Sequence, residues 1–282
     1  MNNTHMTTVL ETITPEIAKE YLKHNVSNRA LRSKYVERII RDIKAGEFRV
    51  THQGIAFDDS GKLIDGQHRL TAIALAGIPV QMMVTRGVSE ESKLVIDTHA
   101  KRQIYDYFCI TDKYSSDKAM RSTCVIAAVR NLVKWGYSAS YKVTNAELER
   151  LMLGLQNHLQ DLYDIIATRG NTTLSAVSAA VLSALICGED KDGLHKFITV
   201  YLTGNITGCD EFDVGSAFKL ATTVLNAKAK GTRINPDKLY NLSQNAIWHF
   251  LRDEETLKLV MPKQPRYVVN SKIFKILKGE SK

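Results

Sequence analysis

Cysteine is scarce and scattered in this chain of 282 residues: the four at positions 109, 124, 187 and 209 form no Cys-x-x-Cys pair and have no histidine at zinc-ligand spacing. Neither a disulfide framework nor a zinc site is therefore indicated, and the four read as small buried apolar side chains. Long apolar runs are missing too. No stretch approaches the length that crosses a bilayer, and Met1–Thr8 is polar where a leader would carry an apolar centre. A cytoplasmic protein with no membrane partner is expected. Equally absent are Gly-x-x-x-x-Gly-Lys-[Ser/Thr], Gly-x-Gly-x-x-Gly, His-Glu-x-x-His and Gly-x-Ser-x-Gly, so P-loop, Rossmann, zincin and hydrolase-elbow chemistry lack their usual markers. No internal repeat is visible.

What is present is an ordinary globular mixture, 44% hydrophobic and 24% charged, long enough for one large domain or two moderate ones. The formal net charge of +8 suits contact with polyanions, although basic residues also serve solubility.

The most informative stretch is Leu63-Ile64-Asp65-Gly66-Gln67-His68-Arg69-Leu70-Thr71-Ala72. It reads as a strand end, a turn at Asp65-Gly66, and a helix from Gln67 to Ala76 stopped by Gly77. A helix that starts at glycine presents unpartnered N–H groups and the positive end of its dipole, which together favour an anion. His68 and Arg69 add side-chain donors, and arginine can grip a phosphate through two parallel bonds. Asp65 suits a metal or a hydroxyl. An ordinary turn with a helix cap would use the same residues.

Asp-Gly-Gln-His-Arg-Leu-x-Ala, between an apolar strand and a helix ending in Gly-Ile-Pro-Val, resembles the signature box of the ParB/sulfiredoxin superfamily. The nearest likeness is to the Asp-Gly-Gln-His-Arg proteins of phages and mobile elements. The ParB box, Gly-Glu-Arg-Arg-x-x-Ala, is matched at Gly66, Arg69 and Ala72; the sulfiredoxin box, Gly-Cys-His-Arg, at Gly66, His68 and Arg69. Gln67 stands where sulfiredoxin has its reactive cysteine, so repair of a sulfinic acid is not expected. The resemblance implies nucleoside triphosphate binding, with Gly66, Gln67, His68 and Arg69 at the phosphates. Further along, Asp97-Thr98-His99-Ala100-Lys101-Arg102 resembles a second ParB box, Glu-Asn-x-Gln-Arg, longer by one residue and with Thr98 in place of Asn. It would add Arg102 to the nucleotide site and Asp97, beside Asp65, as a ligand for Mg²⁺. Asp97 and Arg102 would equally suit a plain surface ion pair.

The chain around the box predicts an α+β domain over residues 1–112, the order being a helix from Thr14-Pro15, a helix from Ser33 to Gly46, a hairpin turning at Asp58–Gly61, the box helix, a strand over 80–84 and a helix from Glu90. This order resembles that of ParB/sulfiredoxin-like domains, and the resemblance implies that fold for residues 1–112. A polar link at 111–116 precedes an all-helical domain over 113–282. There Thr144 and Glu147 predict a capping box, and Leu174–Cys187 reads as a helix apolar nearly all round, central in a bundle. Trp135 and Trp248 fall in apolar helical patterns and read as core anchors.

Arg29, Arg32 and Arg49 stand at element ends as candidates for phosphate contact. The basic run Lys228–Arg233 ends a helix, where cations complement the dipole. From Lys258 onward seven Lys/Arg face one Glu in what reads as a partly extended basic tail. Three functions are compatible with these features: a protein that binds, and in one variant hydrolyses, a nucleoside triphosphate and associates with DNA; a catalytically silent DNA-binding regulator; and a phosphotransferase acting on a small metabolite or nucleoside. If there is chemistry, Asp65, His68 and Arg69 are its candidate catalytic residues. The partners expected are a nucleotide and the DNA backbone, with a homodimer open to the chain.

Overall fold

The computed structural model describes residues 6–280 apart from 27, 29, 90–103, 111–113, 115, 139 and 168–173. The architecture is α+β, divided into two compact units, Met1–Lys101 and Arg102–Lys282. Asp97, Arg102, Arg29 and the helix expected from Glu90 lie outside the described residues.

The first unit runs β1 (Thr7–Ile13), α1 (Pro15–Leu22), α2 (Ser33–Lys44), β2 (Ile55–Asp58), β3 (Leu63–Asp65), α3 (Gln67–Ala76) and β4 (Val80–Val88). Its four strands form a mixed sheet in the order β1-β4-β2-β3, with β2 and β4 parallel and the other pairs antiparallel. The expected punctuation is in place. Thr14 caps α1 by accepting from the Ile17 N–H, with Pro15 at the first helical position. Asp58 Oδ1 accepts from the N–H groups of Ser60 and Lys62 and so closes the hairpin turn. Gly77, at φ 72°, ends α3. The core is built from Ile13, Ile55, Phe57, Leu63, Met82 and Val84 of the sheet, covered by Ala18, Val36, Ile43, Leu70 and Ile73 of the helices.

Two expectations for this unit are extended. The polar start of the chain continues into β1, an edge strand that exists because β4, seventy residues away, supplies its hydrogen-bond partners. The strand expected over 80–84 runs on to Val88.

The second unit holds, among the described residues, α4 (Ile104–Ile110), α5 (Thr123–Gly136), α6 (Asn145–Gly154), α7 (Gln156–Ala167), α8 (Ser175–Ile186), α9 (Lys191–Thr203), α10 (Val214–Ala229), α11 (Pro236–Leu251) and α12 (Asn270–Leu277). The capping box of Thr144 and Glu147 starts α6. α8 is buried from Ala176 to Leu185, as a helix apolar all round must be. Ile104 and Phe108 are buried in the helical core, so the division of the chain falls before α4 rather than at the link near 112.

The end of the chain is the clearest correction. Tyr267, Val269, Ile273 and Ile276 are buried, and 270–277 form α12, so this segment is packed structure rather than an extended tail. Lysines spaced between apolar positions gave a basic helical face, which composition alone reads as a tail.

Candidate functional site

The turn between β3 and α3 owes its shape to two glycines. Gly66 stands at the N-cap of α3 with φ 102°, and a Cβ there would lie 3.1 Å from the Ile55 side chain. Both conformation and space demand glycine. At Gly54 the reason is space alone: a Cβ would fall 1.7 Å from the Met83 carbonyl oxygen of β4. Glycine at the cap has no side chain of its own to accept from the first turn of α3.

Arg69 is fixed by what surrounds that turn. Its Nη2 donates to the Asp65 carboxylate at 2.8 Å and to the Gly54 carbonyl at 2.6 Å. The other Asp65 oxygen accepts from the Gly66 N–H at 2.7 Å. Nε is buried without an acceptor, whereas Nη1 has no partner among the described residues and is not enclosed. A guanidinium so anchored is aimed before any ligand arrives, and it retains donors for one.

His68 Nε2 accepts from the Arg32 backbone N–H at 3.1 Å, which leaves Nδ1 of the neutral ring to carry the proton. Tyr35 meets the same ring edge to face at 6.2 Å. Gln67 is buried and its Oε1 accepts from Asn25 Nδ2 at 3.2 Å. Asn28 ties this loop to β3 by donating to the Leu63 carbonyl at 2.7 Å. Of the sequence candidates, Asp65, Gly66, His68 and Arg69 thus share one turn; Gln67 faces inward and holds the loop at the end of α1. Arg32 is brought to His68 through its backbone and is exposed, whereas Arg49 bends back to the Gly46 and Phe48 carbonyls.

Spacing could not reveal a second polar cluster. Arg86 of β4 donates to Glu11 at 2.5 Å and to the Tyr21 hydroxyl at 2.7 Å, and that hydroxyl donates to Glu11 at 2.7 Å. Burial pushes the Glu11 carboxyl up, but the donors Arg86 and Tyr21 outweigh it and hold the group below its ordinary range. Beside the cluster, at the opposite end of β2 from Gly54, lies a cavity of about 420 Å³ lined by Tyr21, His24, Phe57, Asp58 and Arg86. Two of its charges are already engaged, Arg86 by Glu11 and Asp58 by its own turn.

In the helical unit, Trp135 packs on Tyr240 and Trp248 lies under the Arg252 guanidinium, as core and near-core anchors do. Among the described residues, no three His, Cys, Asp or Glu side chains converge as a metal site. No helix among these residues is long and apolar enough to cross a membrane. No protein-family model, no characterised protein and no solved structure matches the chain.

Proposed function

We propose that the first unit binds a nucleoside triphosphate at the turn from Asp65 to Arg69, and that the protein associates with DNA mainly through backbone phosphates. The observation that carries the first part is the pre-aimed Arg69 guanidinium beside a glycine-capped helix start. The positive end of the helix dipole and an arginine fork act together on one anion. The resemblance of residues 65–72 to the ParB/sulfiredoxin box supports the same reading and makes a triphosphate the preferred anion.

Asp65 would otherwise repel phosphate, but its ion pair with Arg69 offsets that charge. Each carboxylate oxygen retains a lone pair, so Asp65 could also serve as a single protein ligand to Mg²⁺. Phosphate oxygens and water would complete the shell, as is usual for this ion with nucleotides. Mg²⁺ there would neutralise phosphate charge. His68, whose Nε2 accepts from the Arg32 N–H, stands beside Arg69 at the same helix start.

DNA association rests on the net charge of +8 and on exposed cations in both units, among them Arg32, Lys258, Lys263, Lys275 and Lys278. Such contacts read no sequence and weaken steeply with salt. Calorimetry with a panel of triphosphates, with Mg²⁺ and with or without duplex DNA, tests both parts. Failure of every triphosphate to bind would remove the first. Phosphate transfer to a small acceptor without DNA binding would favour the phosphotransferase.

A further inference from the structure

The helical unit contains a cleft of about 360 Å³ at the place where α10 ends and α8 and α11 begin. The chain reverses at Gly231, φ 63°, where the Thr232 N–H returns to the Ala227 carbonyl at 2.9 Å. This reversal lays Arg233 and Ile234 beside the last turns of α10, and Asn235 then caps α11. Val224, Ala227, Ile234 and Leu239 supply apolar wall, and Ala176 and Ser175 of α8 complete it.

Two cations line this apolar space, Lys228 and Arg233, and neither side chain has a hydrogen bond or ion pair among the described residues. Among the described residues, no carboxylate lines the cleft. The neighbouring Asp237 is committed elsewhere, to Lys134 at 3.1 Å and to the Trp135 indole N–H. Dipole complementation would account for Lys228 at the end of α10, but not for Arg233, which lies beyond the helix on the returning strand of chain. The start of α8 adds to the same field, since Leu174 at its N-cap carries no acceptor for the first-turn N–H groups.

We propose that this cleft binds a small amphipathic carboxylate, with an aliphatic body against Val224, Ala227, Ile234 and Leu239 and a carboxylate held by Lys228 and Arg233. The volume lies at the small end of the range of about 300–1,000 Å³ typical of ligand sites. Apolar walls with two cations among the lining residues match a negative charge on a hydrocarbon body better than a free inorganic anion, which would leave those walls unused. A planar carboxylate also suits the arginine fork.

The test uses the full chain and calorimetric titration with decanoate, decan-1-ol and inorganic phosphate. Decanoate should saturate a single site at least about tenfold more tightly than decan-1-ol, the scale of a charge-assisted bond, and phosphate should not bind there. The double variant Lys228→Met, Arg233→Met should bring decanoate down to the level of the alcohol while leaving the alcohol unchanged. Both side chains are exposed, so the melting temperature should hold. Ala227→Trp should block both ligands. Equal binding of acid and alcohol by the wild type, or no saturation by decanoate below its micelle concentration, overturns the proposal. So does a double variant that loses DNA affinity in a protein that never bound decanoate, an outcome that would assign the cations to backbone phosphate.

Discussion

Asp65 and Arg69, one turn of helix apart, are joined by a 2.8 Å ion pair that spans the start of α3, with the same guanidinium nitrogen donating to the Gly54 carbonyl. The pair orients the arginine without exhausting its donors. Arg69→Ala should lower affinity for a triphosphate by at least tenfold, since one or two charge-assisted bonds are lost, while costing only about 1 kcal/mol of stability. Arg69→Lys should recover part of the binding, having the charge without the fork. Calorimetry and urea denaturation of both variants check this. A loss of binding matched by a loss of fold would give Arg69 a structural role instead.

Gly54 and Gly66 should respond differently to alanine. At Gly54 the methyl group would overlap the Met83 carbonyl, so β2 and β4 must separate and little folded protein should accumulate. At Gly66 the positive φ and the crowding of Ile55 should cost about 1–3 kcal/mol, leaving a folded protein with a distorted anion site. Denaturation midpoints measure both.

The Glu11–Arg86 pair predicts a definite pH dependence. The Glu11 carboxyl is held below its ordinary 4.5 in the folded protein, so the unfolded chain takes up its proton first as pH falls. The stabilisation is therefore complete above about pH 4.5 and is lost as pH drops through the lower, folded-state value. Glu11→Gln should be less stable than wild type at pH 7, and the gap should narrow under acid. A gap that stays constant to pH 3 would refute the linkage.

Removal of residues 258–282 should destabilise the helical unit rather than free it of a tail. Tyr267, Val269, Ile273 and Ile276 are each no more than 3% exposed, and each such burial contributes about 1.5–3 kcal/mol. Loss of a cooperative thermal transition is the expected result. DNA contact by this segment is better examined by replacing Lys258, Lys263, Lys275 and Lys278 with glutamine, all four being exposed. Each one that reaches a phosphate should flatten the log–log salt slope by about 0.9. Arg266 and Lys272 are poorer candidates, one bound to Asn245 and the other beside His158.

Local rules determined much of this protein. The caps at Thr14, Asp58 and Thr144, the stop at Gly77 and the glycine start of α3 depend on residues a few positions apart, and those were legible. So was the central place of α8, because a helix apolar on every side has only an interior to occupy. The clustering of Asp65, Gly66, His68 and Arg69 was legible for the same reason.

Tertiary structure decided the rest. β1 required β4 as a partner, and the Glu11–Tyr21–Arg86 cluster required the sheet to close a separation of 75 positions, for which no spacing rule exists. Gly54 carries no motif, and only the approach of the Met83 carbonyl shows why it must be glycine. The end of the chain looked like a solvated basic segment because lysine dominates its composition. Its conformation was set by four apolar side chains that find a core built from helices far earlier in the sequence, and burial of that kind has no local signature.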